Sequence, residues 1–265
     1  MKLYERDYLV LTPEEEAERQ SFERRPGESI TLKHTQHIFN ASKAVRHSRH
    51  LFPNHYLDPQ DLEATYVETA ANEFASLLDR PTVTERDVLR YIRDTRNYFI
   101  IGSIMNSGPY RFGHHEAYLF PELALGTNFA ADFLMIGKGS DGYEFIFVEL
   151  ECPSKNSTLK DGGLAESFRK GIDQVDRWKY WLHENFASIS PTLEKLKNPR
   201  LDFVKEFFVL DPSRLHFVVV AGRRQHFKPY TYRQMREKHQ TGNTHILHYD
   251  HILDSARAMS KMSSY

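Results

Sequence analysis

The sequence predicts an α/β sandwich built on a mixed sheet. Three observations carry that prediction. Apolar residues recur at three- and four-residue steps in segments 59–78, 82–92 and 164–182, the period of an amphipathic helix. Residues 130–136 and 143–151 switch to compact β-type runs on either side of the turn cluster Lys138-Gly139-Ser140-Asp141-Gly142. The near-continuous apolar run from Leu215 to Ala221 has the composition of a strand covered on both faces. Helices, a hairpin, a helix, a strand, then a strand and a helix describe a sheet flanked by helices.

The elements follow in order. Thr12-Pro13-Glu14-Glu15 is a helix start, with Thr at the N-cap, Pro at the first helical position and Glu15 closing a capping box. Residues 30–56 carry five histidines, His34, His37, His47, His50 and His55, without Cys or carboxylates at ligand spacing. Asp58-Pro59 caps a helix whose stripe is Leu62, Tyr66, Ala70, Phe74 and Leu77. A second helix starts at Thr82-Val83-Thr84-Glu85, with Val88, Tyr91 and Ile92 on its stripe. Segment 102–128, punctuated by Gly102, Gly108, Pro109, Gly113, Pro121 and Gly126, reads as a loop. The hairpin follows and stops at Pro153. Leu164, Phe168, Ile172, Val175, Trp178 and Leu182 then form the most regular stripe in the chain. After the buried strand, which Gly222-Arg223-Arg224 ends, His245–Tyr249 is one more strand, and Asp250 caps a last helix.

Composition narrows the function classes. At 265 residues and 40% hydrophobic the chain is long enough for a full core and too apolar for disorder. The single cysteine, Cys152, forbids an intramolecular disulfide and fits a reducing, cytoplasmic setting. No apolar run approaches the roughly 20 residues of a membrane span, and the N-terminus lacks the apolar core of a signal peptide. The net charge is −1, yet it is uneven: residues 1–80 hold 10 basic and 14 acidic side chains, residues 81–265 hold 25 and 22. The second part is the more welcoming to a polyanion.

The pattern with chemical content is Asp132 on one strand of the hairpin and Glu149-Leu150-Glu151 on the other. Glu149 and Glu151 are two apart and share a sheet face. Three carboxylates at one end of a sheet repel one another, and a hard divalent cation such as Mg²⁺ relieves that repulsion. The same residues also fit the solvent face of an ordinary strand.

Asp132, a hairpin, and Glu149-x-Glu151 resemble the strand Asp and Glu-x-Lys signature of the PD-(D/E)XK nuclease superfamily. More narrowly, Gly126-Thr127-Asn128-Phe129-Ala130-Ala131-Asp132-Phe133, then Phe147-Val148-Glu149-Leu150-Glu151-Cys152-Pro153, then Gln174-Val175-Asp176-Arg177-Trp178 resemble the Shedu family of bacterial antiphage nucleases. Val220-Ala221-Gly222-Arg223 and Tyr249-Asp250 fit the same family order, and the likeness spans roughly residues 82–258. It implies a restriction-endonuclease-like mixed sheet in a nuclease domain over 81–265. Residues 1–80 lie outside the likeness and are expected to be a mainly helical or irregular N-terminal region that regulates, oligomerises or senses a phage component. The implied activity is Mg²⁺- or Mn²⁺-dependent DNA cleavage by a homo-oligomer that responds to a phage component. Asp132, Glu149 and Glu151 are the implied metal ligands and catalytic groups, joined by Gln174 and Glu85. Glu151 stands where most of the superfamily has Lys, so Lys155 or Lys170 is the candidate for the missing cation. Lys155, Lys170 and Arg223 are the implied DNA contacts.

Other readings stay open on the sequence. Thr82-x-x-Glu85 is also a capping box, and Gln174 is also a helix-surface amide at the edge of its stripe. His245, His248, Asp250 and His251 contain zinc-ligand types, but His245 and His248 point to opposite faces of a strand. Cys152 lacks any surrounding nucleophile motif. Without the Lys, the chain also fits an inactive nuclease-fold module that binds nucleic acid. Arg223, Arg224, Lys228 and Arg233, interleaved with Tyr230 and Tyr232, are then a phosphate- and base-binding stretch.

Overall fold

The computed structural model describes residues 2–22, 40–108, 110, 112–155, 158–262 and 264–265. His34 and His37 lie outside the described residues. A five-stranded sheet has the order β1-β2-β3-β4-β5, with β1 Glu116–Leu125, β2 Phe129–Gly139, β3 Gly142–Leu150, β4 Leu215–Val220 and β5 Thr244–Leu247. The first three strands are an antiparallel meander, and β3, β4 and β5 run parallel. The mixed sheet is as expected. The helices among the described residues are α1 Pro13–Ser21, α2 Lys43–Ser48, α3 Ala64–Leu78, α4 Glu85–Thr95, α5 Phe99–Gly102, α6 Glu166–Asn185, α7 Ser190–Glu194, α8 Pro229–Gly242 and α9 Tyr249–Ala258.

Parallel neighbours need crossovers, and α6 and α8 provide them between β3, β4 and β5. Phe168, Ile172, Val175, Trp178 and Leu182 of α6 are all buried on one sheet face. Burying each contributes about 1.5–3 kcal/mol. The other face is covered by α3, α4 and α9, through side chains such as Phe74, Val88, Ile92 and Ile252. Leu3, Leu57 and Leu62 join that same core. The packing is therefore continuous across residue 80.

Several local expectations are corrected. Segment 102–128 is not all loop, because β1 occupies Glu116–Leu125. Pro121 sits inside it without penalty to the sheet, since β1 is an edge strand and the missing N–H faces no partner strand. After Asp58-Pro59 only a short 3₁₀ turn forms, and the α-helix begins at Ala64. The last helix is capped by His248, whose Nδ1 accepts the His251 N–H, while Asp250 turns to Arg223. The capping box at Thr12 and Glu15 forms as expected.

The described histidines of the N-terminal region are packing and hydrogen-bonding groups. His47 stacks on Tyr8 and His50 on Tyr56, while the His55 ring bonds the Leu119 carbonyl at 2.9 Å. Burial pushes His50 and His55 down to about 4, so both are neutral at pH 7. No helix among the described residues is long and apolar enough to cross a membrane.

Candidate active site

The site forms where the sheet comes apart. Pairing between β2 and β3 runs as far as Phe133 opposite Val148 and then stops, one step before Asp132 would face Glu149. On the other side of β2, Pro121 pairs with Phe133 and Leu123 with Ala131, skipping Glu122, which has a left-handed φ of 52°. Asp132 thus sits at a break in both ladders. Its side chain takes over a lost backbone role, accepting the Leu150 N–H at Oδ2 over 2.7 Å. The end of β3 is fixed separately. The Glu151 N–H donates to the Val220 carbonyl at 2.8 Å, and the Tyr249 hydroxyl donates to the Glu151 carbonyl at 2.7 Å.

Glu149 and Glu151 share a face, as the two-residue spacing requires, and α6 passes directly over them at Gly171. A Cβ built on Gly171 would lie 2.7 Å from Val219 Cγ1, 3.1 Å from Glu151 Cγ and 3.7 Å from Glu149 Cγ. A mid-helix Gly costs about 1 kcal/mol relative to Ala, so close approach is what this glycine provides. Gly171→Ala is therefore expected to destabilise the fold by about 1–3 kcal/mol in urea unfolding, despite its better helix propensity. An unchanged or raised midpoint would contradict the tight contact.

Glu149 is 3% exposed and Glu151 4%. Burial first, then the charges of Asp132, Glu151 and Glu85, push the Glu149 carboxyl up to about 10, with Lys170 opposing. Asp132 is pushed up to about 7, mainly by burial; the Leu150 N–H pulls the other way, and Glu85 and Glu151 add to the rise. Glu151 is also raised by burial, against the Lys170 contact. Its Oε1 accepts from Lys170 Nζ at 3.0 Å. Glu149 Oε2 is sealed from solvent and has no hydrogen-bond partner among the described residues. No group of three or more His, Cys, Asp or Glu side chains among the described residues is already arranged to hold a metal ion. The expected three-ligand set is thus not preassembled, since Glu151 is committed to Lys170. What fits a hard cation is the chemistry of the donors: oxygen ligands only, mutually repelling, with one buried oxygen orphaned.

Glu85 joins this cluster. The box at the start of α4 uses Thr84 and Asp87, not Thr82 and Glu85. Glu85 is thereby relieved of the capping role, and it lines a cleft of about 910 Å³ with Glu151, Cys152, Lys155 and Lys170. Arg86, Lys160 and Arg169 line the same cleft. Together with Lys155 they make no ion pair among the described residues, while Lys170 pairs with Glu151. Sequence reading missed Arg86, Lys160 and Arg169; the only signal was the excess of basic residues after position 80. Gln174, one turn beyond Lys170, lines an adjoining depression of about 630 Å³ with Arg169, Lys170 and Arg177.

The structure does not bring Arg223 to the cleft. Its guanidinium binds Asp250, Asp79 and the Leu78 carbonyl, tying α9 to the end of α3. Arg224 pairs with Asp254 and Arg233 with Glu237, so the basic–aromatic stretch spends most of its charge internally. His245 and His248 are neutral, pushed down to about 4 by burial. Cys152 contacts the Val83 carbonyl and Ser154 and has no histidine partner among the described residues.

No curated protein matches the chain. A family model described as "Shedu protein SduA, C-terminal" matches residues 72–253. That match covers the whole sheet, α4, α6 and α8, and the carboxylate cluster, and it starts inside α3, in keeping with a core that is continuous across residue 80. The chain therefore belongs to the Shedu family of antiphage defence proteins.

Proposed function

We propose that the protein is a nuclease that hydrolyses DNA phosphodiester bonds with a divalent cation, Mg²⁺ or Mn²⁺, held by Asp132 and Glu149. The observation that carries this reading is the buried Glu149 carboxyl, unpartnered at Oε2 among the described residues and crowded by Asp132, Glu151 and Glu85, the last two of which line a cation-rich cleft. A bound ion supplies Lewis-acid activation of water and charge neutralisation at the phosphate. The Leu150 N–H orients Asp132. Lys170, held by Glu151, brings a positive charge beside the position where most of the PD-(D/E)XK superfamily has Lys. Arg86, Lys155, Lys160 and Arg169 attract and hold the phosphate backbone. Gln174 is placed to contact the strand as it leaves along α6.

The second reading, a DNA-binding module without turnover, draws on the Glu151–Lys170 pair and the lack of a preassembled ligand set. Incubating supercoiled and linear DNA with the protein and Mg²⁺ or Mn²⁺ separates the two. Cleavage that Asp132→Ala abolishes is expected. Retention of DNA with no cleavage under either ion would favour the module.

A further inference from the structure

The start of α6 is unusual for so long a helix. Its N-cap is Ala165, which offers no side-chain acceptor. The first intrahelical bond comes from the Arg169 N–H to the Ala165 carbonyl at 3.1 Å. The N–H groups of Glu166, Ser167 and Phe168 therefore have no acceptor among the described residues. An open helix start carries partial positive charge, equivalent to roughly half an elementary charge. Three residues of this start, Ala165, Glu166 and Ser167, line the 910 Å³ cleft.

A second observation is independent of the backbone. Ser167 is 8% exposed, and its hydroxyl has no hydrogen-bond partner among the described residues. An unsatisfied buried hydroxyl is costly, and Ser167 is one of the residues that line the cleft beside the open amides. Lys160 and Arg169, neither with an ion partner among the described residues, flank the same place. The opposing charge is Glu166, exposed at the first helical position. Glu85 and Glu151 lie in the cleft as well, with Lys170 on Glu151.

We propose that the open N-terminus of α6, with Ser167, Lys160 and Arg169, is a phosphate-binding site for the nucleic-acid strand. It grips a phosphate next to the one at the carboxylates. Ser167 and Lys170 are three residues apart, about 4.5 Å along the helix, and Lys170 already touches Glu151. The inference rests on the nuclease-fold reading for its ligand. The chemistry suits either a backbone phosphodiester or a terminal phosphate monoester.

Binding in metal-free buffer tests the site apart from catalysis. The probes are a duplex with 5′-phosphate ends, the same duplex with 5′-hydroxyl ends, and a covalently closed circle. Ala165→Asp puts a capping carboxylate onto the open amides, and Ser167→Asp places a negative charge in the site. Asp is favoured at a helix start, but both positions are buried, so a thermal melt checks each fold, and the exposed Glu166→Gln carries the test where either variant fails to fold. Each is expected to weaken binding about tenfold and to lower the salt slope by roughly one phosphate contact. Glu166→Gln removes the competing charge and should tighten binding about threefold, a gain that misfolding cannot mimic. Equal effects on all three probes support a backbone phosphate; effects confined to the 5′-phosphate duplex support a terminal one. Unchanged affinity in all three variants, with the parent binding normally, overturns this site and leaves the nuclease reading standing. A parent that binds none of the probes overturns both.

Discussion

Glu149→Gln is expected to lower metal-dependent DNA cleavage by about a thousandfold or more and, at the same time, to make the metal-free protein more stable. Both effects come from one carboxyl. In the folded protein Glu149 is pushed up to about 10, against an ordinary value of 4.5. Above pH 4.5 the unfolded chain gives up a proton that the folded chain keeps. Stability therefore falls as pH rises from about 4.5 towards 10. Asp132, pushed up to about 7, adds to the fall between pH 4 and 7. Glutamine keeps the shape and removes the titration of Glu149. The variant should gain on the order of 2 kcal/mol near pH 7–8, a rise in Tm of roughly 4–8 °C for a chain of this size. Its Tm should also depend less on pH. Melting curves at pH 5, 7 and 9 check this. A variant that melts lower than the parent at pH 9 would show that Glu149 is a structural group and not a strained one.

Lys170→Ala is expected to slow cleavage by about a hundredfold or more while leaving the fold nearly unchanged. The Lys170 side chain is 61% exposed, so its ion pair with Glu151 is wet and contributes at most about 1 kcal/mol to stability. On the proposed function its value lies in placing positive charge beside the reacting phosphate, where electrostatic stabilisation acts on the rate. Exchanging the pair, Glu151→Lys with Lys170→Glu, moves the cation onto the strand, where the Glu-x-Lys motif that the sequence resembles carries it, and should recover part of the lost rate. Single-turnover cleavage of a labelled duplex reads both. An unaltered rate in Lys170→Ala would remove this lysine from the mechanism.

Much of the fold can be read in the sequence because its signals are local. The α6 stripe, the hairpin turn and the apolar β4 run each declare a period or a composition within a dozen residues, and each forms. β1 is hidden because Pro121 and the surrounding glycines look like loop, and only its place at the sheet edge makes the proline harmless. The carboxylates are legible because β-strand geometry alone puts Glu149 and Glu151 on one face, and the hairpin puts Asp132 beside them. What surrounds them is not. Thr82-x-x-Glu85 and Thr84-x-x-Asp87 are equally good capping boxes on paper, and the two-residue difference decides whether Glu85 is free for the site. The neutralisation of Arg223 by Asp250 and Asp79, and the gathering of Arg86, Lys155, Lys160 and Arg169 into one cleft, depend on elements distant in the chain.

On the proposed function, Asp132 and Glu149 form a divalent-ion site that holds protons until the ion arrives. Titration calorimetry of Mg²⁺ and Mn²⁺ at pH 7, repeated in buffers of different ionisation enthalpy, measures this directly, because ligands must shed their protons to bind. Binding with release of about one proton or more per ion is expected, with loss of that release in Glu149→Gln. Absence of binding, or binding by the parent with no proton released, would contradict it.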